Sequence, residues 1–133
     1  MSKKAILKAI EEKKANKRGE YTYTTLQDCK IGTNDQYHFY AVVLDAQFPH
    51  KSFKSDRFML TMRIADPESS FDFEGVVNHC TLVMFAKKFE DLPIIQRVGD
   101  IIRIHRAYVG QYKGAKQFTC NIFFNSSWAL FSP

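Results

Sequence analysis

Hydrophobic and polar positions alternate along most of the chain with a period of two, the spacing that sends successive side chains to opposite faces of a strand. Residues 37–48 (YHFYAVVLDAQF) predict a long strand stopped by Pro49. A polar and basic stretch, 49–56, leads into a second strand over 57–66, in which Phe58, Leu60, Met62 and Ile64 share one apolar face. From His79 the same alternation places His79, Thr81, Val83 and Phe85 on one side and Cys80, Leu82 and Met84 on the other. Phe85 therefore lies on the more polar face of the third strand. Residues 87–95 (KKFEDLPII) predict a short helix or turn that packs Phe89, Leu92, Ile94 and Ile95, and Gly99-Asp100 turns into an Ile-rich strand over 100–109. The last strand is expected over 116–124.

The segments between these runs break the pattern. Residues 21–26 (YTYTTL) read as a β-prone lead-in, and Gly32-Thr33-Asn34-Asp35 as a turn. Residues 67–78 (PESSFDFEGVVN) read as a surface excursion, where Asp72 and Glu74 have no histidine partner and no metal-ligand spacing and are taken as solvated. Gly110-Gln111-Tyr112-Lys113-Gly114 is a glycine-bounded polar loop, which takes Tyr112 out of the core. A phenol beside Lys113, with Phe85 on the polar side of a nearby strand, offers flat surfaces to flat ligands. Nucleobases fit that description, since stacking on an aromatic contributes about 1–3 kcal/mol per base. Residues 125–131 are apolar enough to pack under a barrel.

Strand, basic loop, strand, excursion, strand, short helix, strand, short loop, strand is the order of an all-β, five-stranded OB-fold Greek-key barrel, with its short helix between strands 3 and 4. Such a barrel binds single strands across strands 2 and 3 and the loops joining strands 1–2 and 4–5. His50 and Lys51 fall in the first of those loops and Tyr112 in the second.

Charge divides the chain into two parts. Residues 1–20 hold seven bases against three acids, leaving +1 of the total +5 for residues 21–133. The expected domains are thus a basic N-terminal arm over 1–20, partly helical or frayed around Ile6, Leu7 and Ile10, and an OB domain over 21–133. The arm reads as a phosphate-touching or nucleus-directing segment. A nearly neutral barrel favours stacking and base-edge hydrogen bonds over phosphate neutralisation. Cys29, Cys80 and Cys120 are odd in number and without a CxxC pattern, which argues against a disulfide framework or a zinc site. No apolar run approaches a membrane span. No P-loop and no nucleophile–base pair is present, so the chain reads as a binding module without cofactor or enzymatic activity.

Residues 38–46 (HFYAVVLDA), 86–95 (AKKFEDLPII), 98–106 (VGDIIRIHR) and 127–132 (SWALFS) resemble the first OB domain of the telomere end-binding protein α subunit of ciliates, and more distantly the protection-of-telomeres proteins. The resemblance spans about Tyr21 to Ser132, and the run LPII-x3-GDII is its most specific part. It implies binding of the single-stranded, G-rich 3′ overhang of telomeric DNA, a nuclear location at chromosome ends and a second telomere protein subunit as partner. Phe85 and Tyr112 would stack on bases and Arg106 would make a polar contact. His50 and Lys51 would come from the first loop, and Asp45, Gln47, Asp56, Lys113 and Gln117 would read base edges. Histidine stands at position 50 where the family leads one to expect an aromatic. Relatives continue into a further OB domain, which implies either a fragment or a single-barrel form with weaker binding. Two other readings fit an OB barrel: a protein-interaction module and a single-stranded RNA module, the latter because stacking does not distinguish sugars.

Overall fold

The computed structural model describes residues 21–67 and 79–132. The basic arm and the excursion carrying Asp72 and Glu74 lie outside the described residues. The strands are β1 (Gln36–Ala46), β2 (His50–Lys51), β3 (Phe58–Ala65), β4 (Cys80–Ala86), β5 (Ile101–Tyr112), β6 (Ala115–Asn121) and β7 (Ser127–Phe131). One 3-10 turn, Phe89–Asp91, lies between β4 and β5. The strands β1, β3, β4, β6 and β5 are hydrogen-bonded in that order, and β5 returns to β1. The result is the closed five-stranded OB barrel expected from the alternation, with β4 and β6 parallel and the other barrel pairs antiparallel.

Closure depends on β1 serving two neighbours. Its residues 36–42 pair with β5 and 42–46 with β3, and a register slip between Val43 and Asp45 bends the strand around the barrel. Alternate residues fill the interior: Phe39, Ala41 and Val43 from β1, Leu60, Met62 and Ile64 from β3, Leu82, Met84 and Ala86 from β4, Phe118 and Cys120 from β6. Phe39 and Phe118 meet at 4.9 Å between ring centroids, a tilted aromatic pair at the centre. Leu26 and Cys29 add to this core from the N-terminal side. Their segment is tied down by Asp66, which accepts from the Leu26 N–H at 2.6 Å, and by Lys116 Nζ, which donates to the carbonyls of Leu26, Gln27 and Cys29 at 2.9, 3.2 and 2.7 Å. Burial pushes the Cys29 and Cys120 thiols up to about 12, so both stay protonated and inert at neutral pH.

Several local expectations are corrected by the tertiary structure. The tyrosine loop is a two-residue turn: β5 continues through Tyr112, and Lys113 and Gly114 have φ of 51° and 80°. Two successive positive φ values make the tight connection that matches strand twist. Residues 127–131 do not merely pack under the barrel but form β7, antiparallel to β5 from Ile101 to His105. The first long strand ends at Ala46, and His50 and Lys51 form β2, paired with Met59 and Phe58. The last barrel strand ends at Asn121, in a turn rather than at Phe124. Ile94 is exposed, while Leu92 is buried and Ile95 packs against the core.

In β5 the inward-facing positions are Ile102 and Ile104 and then Ala107 and Val109, a change from even to odd. Between Ile104 and Ala107 three steps of β5 oppose only two of β1, from Phe39 to Tyr37. The extra residue is a bulge at Arg106, with a φ of 64° that side chains rarely adopt. Its backbone is satisfied by side chains. The Arg106 N–H donates to His38 Nδ1 at 3.0 Å, and Ser126 Oγ donates to the Arg106 carbonyl at 2.6 Å. The guanidinium donates to the Asn125 carbonyl and to the Tyr21 hydroxyl at 3.0 and 2.8 Å. Tyr21 in turn stacks on buried His105 at 3.9 Å and meets His38 edge-on at 4.9 Å.

His38 must be neutral at Nδ1 to accept that bond. Burial, followed by the Arg106 charge, holds its pKa below the usual histidine value. The unfolded chain therefore binds this proton more readily, so the stabilisation is complete above about pH 6.5 and is lost as pH falls below it. His38 is expected to titrate below that value by NMR, and the denaturation midpoint to fall on acidification from about pH 7 to 5. The fall should be smaller in His38→Gln; a His38 ring titrating at or above the ordinary value would refute this account.

Candidate nucleic-acid interface

The outer face of β3, β4 and β6 is organised by register into cross-strand rows. One row runs Asp45, Arg63, Thr81, Gln117, Gly110. The next runs Thr61, Val83, Thr119, Tyr108, and a third His50, Met59, Phe85, Asn121. At the far end Tyr112 faces Ala115. Asn121, Thr119, Gln117 and Ala115 alternate on β6, so Phe85, Tyr108 and Tyr112 lie on one continuous outer surface. Along β6 the six steps from Asn121 to Ala115 separate the rows of Phe85 and Tyr112 by about 20 Å at 3.3 Å per step.

Tyr112 is 60% exposed because its cross-strand partner is only a methyl group, and Lys113 Nζ stands 5.4 Å from its ring centroid. Phe85 is half-buried on the same surface. Gln117 sits between the two rings in the first row, and Asp45 closes that row at its β1 end, beyond β3. The Asp45 carboxylate accepts from Arg63 Nε at 2.6 Å, and this hydrogen bond holds its pKa below the usual carboxylate value. The acid is thus an ionised acceptor whose charge is locally balanced. Gln47 closes the edge of β3, its N–H donating to the Thr61 carbonyl and its Oε1 accepting from the Thr61 N–H at 2.9 and 3.2 Å. His50 Nδ1 lies 3.1 Å from the Phe48 carbonyl. A carbonyl only accepts, so Nδ1 carries the proton and Nε2 is an acceptor when the ring is neutral. Lys51 on β2, Asp56 in the turn between β2 and β3, and Lys113 in the turn between β5 and β6 are exposed.

The structure thus gathers Phe85, Tyr112, Asp45, Gln117, His50 and Lys113 on or beside one surface, with Gln47, Lys51 and Asp56 along its loop side. Arg106 is different. As the bulge residue it has no partner in any of these rows, and its guanidinium is engaged by Tyr21 and Asn125. Tyr108, Met59, Arg63 and Thr119 also belong to the surface; alternation puts Met59, Arg63 and Thr119 opposite their apolar neighbours, whereas Tyr108 was not legible in the chain. Tyr108 was hidden because its face depends on the Arg106 bulge. Among the described residues no three His, Cys, Asp or Glu side chains gather to hold a metal ion.

Residues 17–133 match the family model described as telomeric single-stranded DNA binding POT1/CDC13. The chain belongs to this family. It is 50% identical over 123 residues to the telomere-binding protein 51 kDa subunit of Euplotes crassus, covering 92% of this chain and 27% of the relative. It is 44% identical over 124 residues to the telomere-binding protein subunit alpha of Stylonychia mytilus, covering 90% and 25%. The chain spans about a quarter of the length of these relatives. A solved Pot1 (protection of telomere)–single-stranded DNA complex superposes with a TM-score of 0.68 at 21% identity, over 86% of this chain and 66% of that one, which supports the OB barrel. The ciliate resemblance carried by the LPII and GDII runs is therefore borne out.

The pairing of Asp45 with Arg63 has a direct readout in solution. Arg63→Gln is expected to return the Asp45 carboxyl to the usual aspartate range in an NMR titration, leaving the other carboxyl midpoints in place. An unchanged Asp45 midpoint would mean that the ion pair does not set its charge.

Proposed function

We propose that this chain binds single-stranded, G-rich telomeric DNA across the outer face of β3, β4 and β6. The observation that carries the reading is the shared outward parity of Phe85, Tyr108 and Tyr112, with polar groups in the rows between them. The rings supply stacking surfaces for successive bases. Between them Gln117 offers both an acceptor and donors, at the β1 end of its row the Asp45 carboxylate accepts from guanine N–H donors, and Lys113 and Lys51 meet phosphates at the two ends. A carboxylate in the groove repels phosphate but suits the donor-rich edge of guanine, so it favours G-rich sequence over indifferent binding. Asp56, Gln47 and His50 Nε2 extend the polar lining along the loop. Arg106 contributes by holding the bulge that aims the tyrosines, rather than by a contact with a base.

The strand is held and not chemically changed, and the site acts at chromosome ends in the nucleus. The names of the relatives, which are subunits, support a second telomere protein as partner. The near-neutral barrel makes stacking the main source of affinity, with the basic arm adding a salt-dependent attraction.

Anisotropy of a labelled G-rich single strand, competed with its C-rich complement, the duplex and the RNA version, tests the reading. Preference for the G-rich DNA with a shallow salt slope is expected. Tyr112→Ala and Phe85→Ala should each weaken binding by about 1–3 kcal/mol while the thermal transition is kept. Equal and steeply salt-dependent binding to all competitors would overturn base reading, and a stable protein complex that survives both substitutions without any DNA binding would support an interaction module instead. A labelled strand should be recovered intact after incubation with divalent metal.

A further inference from the structure

The hairpin formed by β2 and the start of β3 carries the outer surface past Phe85. His50 pairs with Met59 and Lys51 with Phe58, and the Ser52 N–H donates to the Arg57 carbonyl at 2.8 Å. Alternation from Met59 puts Arg57 on the face that carries Phe85. The Arg57 guanidinium lies over the Phe123 ring, 3.7 Å from its centroid. Phe123 belongs to the turn after β6, where the Ile122 N–H donates to the Phe85 carbonyl at 2.8 Å. This cation–π contact fastens the base of the hairpin, a second arm distinct from the N-terminal one, to the end of the barrel beside Phe85.

At the arm's tip Phe53 is wholly exposed, at 106% of its reference area. The turn around it is shaped by Ser52 Oγ, which accepts from the Lys54 N–H, and by Ser55 Oγ, which accepts from the Arg57 N–H, at 3.4 and 3.3 Å. A phenyl ring left entirely in water, on an arm braced against the barrel, has no role in folding. Protein hot spots sit in well-packed pockets from which surrounding contacts exclude water, whereas the neighbours of Phe53 along the arm are Ser52, Lys54 and Ser55, with Lys51 and Arg57 nearby and Asp56 the single acid. An isolated ring among cations suits a base and its phosphates.

We propose that Phe53 is an additional base-stacking position at the arm's end of the site, past Phe85, with Arg57 and Phe123 as positioning residues. This rests on the binding reading above and adds to it a longer footprint: a strand reaching the arm gains one more stacked base.

The test lengthens a G-rich single-stranded DNA one nucleotide at a time, at the 5′ end or at the 3′ end, from the shortest strand the chain binds. With the wild-type chain, extension at one end is expected to raise affinity about 5- to 150-fold at a single step. Phe53→Ala should abolish that step and leave affinity for the shortest strand unchanged, and Phe53→Trp should keep it. Arg57→Ala should blunt the step without abolishing binding of the shortest strand. A wild-type chain that binds but shows no step, or a Phe53→Ala chain that keeps it, overturns the Phe53 position alone and assigns the ring to a protein partner. Failure of the wild-type chain to bind any strand overturns the broader reading and this one with it.

Discussion

A single extra residue in β5 sets the orientation of everything beyond it. A one-residue change in strand parity exchanges the faces of all following side chains. Without the bulge at Arg106, Ala107 and Val109 would point outward, and Tyr108 and Tyr112 would be driven into a core already filled by Phe39 and Phe118. The left-handed conformation of a non-glycine residue costs on the order of 1–3 kcal/mol. It persists because both backbone groups of Arg106 are matched by side chains from two other elements, His38 on β1 and Ser126 before β7, while the guanidinium binds Tyr21 and Asn125. Each such hydrogen bond contributes about 1 kcal/mol net, so together they offset the strain. The candidate surface and the packing of the N-terminal lead-in thus share one structural cause.

The same economy appears at the turn after β5. A two-residue connection with both φ values positive leaves no loop to shield Tyr112, and Ala115 opposite is too small to cover it. A ring in that setting stays presented without a mobile segment to order on binding, which lowers the entropic cost of the stacking proposed for it. Asp45 is treated similarly, because Arg63 beside it keeps the carboxylate ionised and fixed while cancelling its charge. The described surface therefore combines flat apolar rings with balanced polar groups, which suits recognition of bases more than neutralisation of phosphates.

Much of the barrel was legible as alternation. Phe58, Leu60, Met62 and Ile64, or Leu82 and Met84 against Phe85, have neighbours of opposite character at each step, and burial follows that pattern. The outward placement of Tyr112 was also legible, though for an incomplete reason: the glycines at 110 and 114 suggested a loop, whereas Gly110 lies within β5. Tyr108 was not legible, since R-A-Y-V offers no local mark of a shifted register. The segment containing Trp128 was apolar without a decisive period, and only the open edge of β5 makes it a strand. Arg106 was expected to make a polar contact with the nucleic acid because nothing nearby in the chain announces His38 or Ser126 as its partners.

What the chain determined by itself was local: which residues alternate, where Pro49 and Gly114 interrupt, that the charge resides mainly in the first twenty residues, and which motifs relate it to telomere-binding proteins. Such properties follow from backbone periodicity and side-chain chemistry within a few residues of one another. Tertiary structure alone decided which strand faces meet, that Asp45 is matched with Arg63 eighteen residues away, and that Lys116 serves the carbonyls of Leu26, Gln27 and Cys29. The reason is that barrel closure fixes register between distant segments, and register, unlike alternation, is set by bulges whose partners lie far along the chain.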